Sequence, residues 1–317
     1  MPIPAMRHPV SILLASCLLA PLAAHADSLS GWWQDFQNAR QHGVSSHTLD
    51  IDNDSLLFRE RDGFYTSGVR YTWQTSVRDG QKLDSFGWRI GQEIYTASDI
   101  KLAPAAIPPN DHPYAGWLYG GVFRSTHTAD GGHLHYGLDL GCLGPCAGGQ
   151  WAQQQLHRII DQPQPQGWSS QLRNEFGAVL YADYAPRRWQ LASWADVTPN
   201  LHGRFGNIYT DAGAGLLLRA GRLNLLPDEA TLHGFVRLDA RAVGYDATLQ
   251  GGYFSSGNPR TVAPKRLVGQ AEIGIAWNQG AFAVAASIVR RSSEIRELSN
   301  AAGAENFARL TFSYTPR

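Results

Sequence analysis

Between Gly141 and Ile160 the chain reads GCLGPCAGGQWAQQQLHRII, which sets a histidine on a helix inside an otherwise strand-like sequence. Gly144-Pro145 and Gly148-Gly149 break the strand before it, and the residues that follow predict a short helix. Gln153 and His157 are four positions apart and so share one face of that helix. An imidazole ordinarily titrates close to neutral pH and can take a proton from water in a hydrolysis. The plainer alternative for His157 is a solvated place on a loop helix. For Gln153 it is an ordinary polar helix position, against a hydrogen bond to His157 or to a substrate. Trp151, Leu156, Ile159 and Ile160 give the helix an apolar side suited to packing on a barrel or entering lipid.

A second candidate is Asp50-Ile51-Asp52-Asn53-Asp54, with four oxygen-bearing side chains in five residues. Such a run suits a hard cation such as calcium, although it lacks the glycine and closing glutamate of an EF-hand loop. A solvated rim strand is the bland reading. Alternation puts Leu49, Ile51 and therefore Asn53 on an outward, lipid-facing side, where a polar amide is costly. Thr66 could add a hydroxyl nearby if the first two strands form a hairpin. Parity puts it on the opposite face, so a bulge or a rim position is required. His133 and His135 share a strand face at metal-ligand spacing, but the sequence offers no third ligand, and a lumen-facing pair is the simpler account. No G-x-S-x-G elbow, zinc motif or phosphate loop is present, so serine-hydrolase and nucleotide chemistry have no support.

These groups must be carried by strands, because the dominant sequence period is two. Leu134, Tyr136, Leu138 and Leu140 alternate with His133, His135, Gly137 and Asp139, and similar runs recur near 208–218, 267–278 and 309–314. The pattern predicts strands near 48–58, 64–77, 84–95, 114–127, 131–142, 171–182, 187–199, 206–221, 230–245, 264–279, 280–293 and 306–314. The even number lets a membrane barrel close with both termini on the periplasmic side. Residues 96–113 and 143–170 are the two long connections. Each joins an odd-numbered strand to an even one, so each is expected outside the cell, where loops carry function.

Composition agrees. The chain of 317 residues has 33 Gly, 10 Trp, 12 Tyr and 12 Phe, and only 17% charged residues. Residues 1–26 read as a secretory signal, with Arg7 and His8 before the apolar run Val10 to Ala23 and a cleavage site at Ala24-His25-Ala26. Leu14-Ala15-Ser16-Cys17 is a competing lipoprotein box. Residues 27–317 then form one domain, beginning with a short lead-in over 27–47. The chain carries 27 basic and 27 acidic residues, and the signal holds one base, so no basic field exists to bind nucleic acid. Cys142 and Cys146 outlast cleavage, either as a disulfide before the helix or as two small unpaired residues.

Several blocks together resemble the outer-membrane lipid A 3′-O-deacylase family: DNDSLLF (52–58), DGFYTSGVRYTW (62–73), GQEIYT (91–96), DHPYAGWLYGGV (111–122) and GPCAGGQWAQQQLHRIIDQPQPQGWSSQLRNE (144–175). They keep the family's order and cover most of the first half; the second half shares only the strand rhythm. The resemblance implies an all-β, twelve-stranded antiparallel transmembrane barrel with a short helix in an extracellular loop. It implies a calcium-dependent ester hydrolase that removes the 3′-acyloxyacyl group of lipid A. Carried over by motif, His157 activates water, Gln153 is its helix partner, and Asn53, Asp54 and Thr66 complete the catalytic and calcium-binding set. Lys101 and Arg158 are expected on lipid A phosphates. Two departures stand out: His112 replaces an arginine of the family pattern, and the acidic residue expected after the helix is matched only weakly, by Asp161. Expected partners are lipopolysaccharide and outer-membrane lipids, with the chain a monomer. The rival readings are an outer-membrane phospholipase, whose His-x-Ser motif is absent, and a porin-like barrel without enzymatic activity.

Overall fold

The computed structural model describes residues 29–57 and 63–316. The expected signal over 1–26, with its competing Cys17 box, lies outside them. Alternation along the chain builds a single antiparallel sheet of strands β1 (Val44–Asn53), β2 (Phe64–Asp79), β3 (Lys82–Thr96), β4 (Ala115–Thr128), β5 (His133–Leu143), β6 (Glu175–Ala185), β7 (Trp189–Ala192), β8 (Ala195–Gly206), β9 (Tyr209–Arg222), β10 (Thr231–Asp246), β11 (Leu267–Gln279), β12 (Phe282–Arg291) and β13 (Glu305–Tyr314). β1 pairs with β13 from His47↔Tyr314 to Asn53↔Ala308, which closes the ring. β6 and β7 both pair with β8, so β7 prolongs β6 and the barrel has twelve staves.

The expected strand over 187–199 is corrected. Its first part, β7, ends the sixth stave; a tight turn at Ser193-Trp194 follows, and β8 begins at Ala195. That turn has neither Gly nor Pro, so the alternation runs through it unmarked. The interruption before β7 falls at Pro186-Arg187-Arg188, and Pro199 of β8 lies opposite it, where one ladder is missing. The lead-in over 27–47 is also corrected. Leu29–His42 form a helix, α1, and β1 starts at Val44, four residues earlier than expected. Other tight turns sit at 80–81 and 280–281, where Gly80 (φ 56°) and Gly280 (φ 68°) take the left-handed conformation a two-residue hairpin needs.

The wall has two faces. Val69, Trp88, Ile90, Val122, Leu180 and Ile273 stand exposed on the outside, as a hydrocarbon-facing belt requires. The inside is polar and filled. Arg309 Nε and Nη2 donate to Asp52 at 2.8 Å each, Arg89 Nη2 pairs with Asp139 at 2.6 Å, and Arg219 Nη2 with Asp196 at 2.7 Å. Around these pairs remains a cavity of about 290 Å³ lined by Arg70, Glu93, Tyr119, Tyr181, His202 and Tyr209 among others. No described helix is long and apolar enough to cross a membrane.

Side chains cross both mouths. At the periplasmic end Arg188 donates to the backbone oxygens of Ala129 (2.7 Å), Asn224 (2.8 Å) and Leu225 (2.6 Å), and Arg78 reaches Asp228 and Glu229. The 223–230 connection is thereby tied to two other turns. At the opposite end Arg260 donates to the Pro108 and Ile107 oxygens.

Candidate active site

The loop between β5 and β6 carries the expected helix, α2 (Gly149–Ile159), on the outside of the wall. It contacts β3 and β4. Close approach depends on small residues. A Cβ on Gly116 of β4 would meet Ala147 Cβ at 3.1 Å and Gly149 N at 3.3 Å, and a Cβ on Gly149 would strike the Trp168 ring at 2.9 Å. Gly148, at φ 68°, turns the chain from a short 3-10 segment into α2. Gln92, on the outward row of β3, donates to Ala147 O at 2.6 Å. Cys142 and Cys146 form a disulfide (Cα–Cα 6.0 Å), so the end of β5 is tied to the turn that starts the helix.

The end of α2 places the histidine. Asp161 takes a left-handed φ of 53°, and Gln162 N bonds back to His157 O at 2.8 Å, the closing bond of a Schellman-type stop. The chain thus reverses and brings Pro163 O to His157 Nδ1 at 2.6 Å. A carbonyl only accepts, so Nδ1 carries the hydrogen in this bond, and in the neutral tautomer Nε2 is the nitrogen without one. The sequence offered Gln153 as a hydrogen-bond partner for His157 or for a substrate; the structure uses the Pro163 carbonyl to orient the ring. Asp161 is exposed and acts through its backbone.

Gln153 and His157 are the buried side chains of the helix, 3% and 6% exposed. Gln153 Oε1 accepts from Trp168 Nε1 at 2.8 Å, while its amide nitrogen is buried without a hydrogen-bond partner. An unmade bond of this kind costs roughly 1–3 kcal/mol. Trp168 packs with Ile94, Ala97, Ile107 and Tyr114 in a small core on the outer side of the wall. The opposite side of the helix leaves Trp151, Leu156 and Ile159 exposed, Ile159 by 81%.

The first hairpin supplies the second half. Asn53 ends β1 opposite Ser67, and Asp54 N donates to Thr66 O at 3.4 Å. The register of β2 against β3 shifts between Tyr65 and Ser67, so Thr66 is the bulged residue that parity demanded. Tyr65 points inward to Asp52, and Thr66 turns outward to meet Thr96 (Oγ1–Oγ1 2.8 Å). Asn53 Oδ1 accepts from Ser55 N at 2.8 Å and also from its hydroxyl, and Asp54 Oδ2 accepts from Gly63 N at 3.0 Å. The described non-glycine residues with positive φ are Phe64 (64°) and Asp161, one beside Thr66 and one beside the His157 turn. Backbone outliers of this kind gather where a site over-determines the chain.

Asn53, Asp54 and Thr66 are therefore together, and so are Gln153 and His157. Both groups flank the outward row of β3: Gln92 holds the start of α2, Ile94 lies under Trp168, and Thr96 bonds Thr66. Four residues of strand separate Gln92 from Thr96, about 13 Å. Thr96 and Asp111 escaped the sequence search, although both lie in blocks that carry the resemblance. Asp111 fixes the start of the 97–114 loop, accepting from Ser98 N at 3.0 Å and Ser98 Oγ at 2.7 Å. Lys101 is exposed in that loop, with its backbone nitrogen on Asp99. Arg158 is exposed and leans on Gln155 at 3.3 Å. His112 is 1% exposed, stacked on Tyr95 (5.3 Å, 8°), with Nδ1 on Pro113 O and Nε2 buried without a partner. Burial holds its pKa below the ordinary imidazole value. His133 and His135 face the lumen, and a third imidazole, His127, stacks on His133 at 4.2 Å.

Among the described residues no group of three or more His, Cys, Asp or Glu is placed to hold a metal ion. The donors at the hairpin are instead an amide oxygen, a hydroxyl and one buried carboxylate. That all-oxygen set fits a hard cation such as calcium in type, with one formal charge.

The family model described as outer membrane protein LpxR matches residues 12–316 of the chain. Among solved structures, LpxR from Salmonella typhimurium is similar, with a TM-score of 0.70 and 19% identity over 85% of this chain and 99% of that one. The β domain of the Bordetella autotransporter BrkA gives a TM-score of 0.48 at 12% identity over 86% and 98%. No curated protein matches. With a barrel of the same kind and a family match along nearly its whole length, the chain belongs to the LpxR family of outer-membrane proteins.

Proposed function

We propose that the chain is a lipid A 3′-O-deacylase, an ester hydrolase that works as a monomer on the 3′-acyloxyacyl group in the outer leaflet. The observation that carries this reading is the buried Gln153/His157 face outside the wall, at a level where a purely structural barrel would present apolar residues to lipid. Family membership and the adjacent oxygen cluster support it.

His157, held by the Pro163 carbonyl, takes a proton from water at Nε2 as the water oxygen attacks the ester carbon. The ring then returns the proton to the departing sugar oxygen, leaving a free 3′-hydroxyl and a fatty acid. The unpartnered amide nitrogen of Gln153 donates to the ester. Asn53, Asp54 and Thr66 would hold calcium, which when bound supplies positive charge beside the oxygen that becomes negative. The exposed Trp151, Leu156 and Ile159 face the acyl chains, and Lys101 and Arg158 reach the phosphates of the glycolipid.

Neither rival gains support. Side-chain bonds cross both mouths, which disfavours a porin, and no His-x-Ser strand has emerged for a phospholipase. The test is to incubate the purified chain with lipid A in detergent, with calcium or with a chelator, and to follow the product by mass spectrometry. Calcium-dependent loss of the 3′ acyloxyacyl mass is expected. Unchanged lipid A, together with ion conductance in planar bilayers, would overturn the reading.

A further inference from the structure

Away from the candidate site and the rims, the wall is apolar on its outside except in one place. At the periplasmic ends of β3 and β4 the outward positions are Asp84, Phe86, Arg124 and Thr126, in line with the lipid-facing Trp88 and Val122. Thr126 donates to Asp84, and the Arg124 guanidinium lies over the Phe86 ring at 5.0 Å. Exposed to lipid, such a charge costs roughly 2–4 kcal/mol at the midplane and nearly nothing at the interface. Here α1 covers it. Asp35 pairs with Arg124 at 2.7 Å, Trp32 and Phe36 meet Phe86 at 5.6 and 5.8 Å, and Ala39 O accepts from Thr75 Oγ1 at 3.3 Å.

The rest of α1 divides by angle. Gln34, Gln37, Asn38 and Gln41 point away from the wall and are exposed. Trp33 and Arg40, seven residues apart, share one edge between the wall and that polar side. Trp33 is 53% exposed and meets only Phe36 among the described ring pairs. Elsewhere around this end exposed aromatics mark the boundary: Trp189, Trp194, Phe282 and Tyr314. β2–β4 offer no such outward residue there apart from the covered Phe86.

We infer that α1 lies along the periplasmic face of the outer membrane and binds glycerophospholipid through the Trp33/Arg40 edge, the indole among the glycerol groups and the guanidinium on a phosphate. The helix fills the gap in the aromatic girdle, continuous with the lipid-facing wall above it. This contact is independent of the deacylase reading.

Site-directed spin labelling tests it on the full mature chain. Trp33→Cys and Gln41→Cys each receive one nitroxide, since Cys142 and Cys146 are joined to each other. The labelled barrels are placed in vesicles of phosphatidylethanolamine and phosphatidylglycerol, with folding checked by heat-modifiable gel mobility. Oxygen should reach the label at 33 more readily than a water-soluble nickel chelate, with the reverse at 41. Adding Arg40→Glu should shift position 33 toward the aqueous pattern. An aqueous pattern at 33 from the start would overturn the proposal. So would shielding from both agents, which would indicate a protein partner.

Discussion

The lumen and the outer face beneath α2 both bury polar side chains, but they treat them differently. Inside, Asp52 has Arg309 against it, Asp139 has Arg89 and Asp239 has His202, while Glu93 accepts from the Tyr95 and Tyr209 hydroxyls. Outside, Gln153 keeps an unmade donor, the His157 ring is oriented by a backbone carbonyl, and Asn53 and Thr66 sit where lipid should be. Burial of polarity alone therefore does not mark a site. Polarity that is both out of place on the lipid side and incompletely satisfied does, because a substrate or ion can complete it.

The sharpest way to break this contrast is to damage the lumen. Asp139→Ala leaves Arg89 buried without its carboxylate and should cost about 3 kcal/mol of unfolding free energy, read by denaturant titration in micelles, with acyl release by the folded fraction unchanged. A comparable loss of turnover would merge the two regions. Next, Thr66→Val keeps the bulge and its shape but removes the hydroxyl. Turnover should fall by roughly 10–100-fold, about 1.4–2.7 kcal/mol, while loss of the bond to Thr96 costs only about 1 kcal/mol of stability. Gln153→Leu should separate stability from activity. The orphaned nitrogen disappears and the acceptor of the Trp168 indole is lost, so stability changes by only about 1 kcal/mol, yet deacylation slows.

The smallest effect concerns pH. Burial lowers the pKa of His112, against the pull of the Pro113 carbonyl, Glu294 and Asp111. The folded 97–114 loop thus binds fewer protons than the unfolded chain, and its stability is complete above the ordinary imidazole value of about 6.5. It is lost as pH falls from there toward the depressed folded value. Hydrogen exchange over 97–114 should quicken between pH 7 and pH 5, and His112→Gln should flatten that dependence.

Much of this was legible in the sequence where one physical rule dominated. Alternation located the staves, because a wall between lipid and a polar lumen forces a period of two. Gly144-Pro145 and Gly148-Gly149 announced the helix. The Asn53–Thr66 parity conflict called for a bulge or a rim position, and β2 has the bulge. Other features were not legible. The Ser193-Trp194 turn lacks the usual turn residues. α1 hides in a polar stretch because its apolar stripe is only Trp32, Phe36 and Ala39. The partners that set the site, Pro163 O for His157 and Trp168 Nε1 for Gln153, depend on how the chain reverses at Asp161, which no spacing rule foretells.

The direct measurement compares lipid A from outer membranes of cells carrying the native chain or a folded His157→Ala variant, by mass spectrometry. A loss of general-base catalysis of about 10²–10⁴-fold should leave the 3′ acyloxyacyl group on nearly every molecule in the variant, against its removal by the native chain. Equal deacylation by both would contradict general-base catalysis by His157.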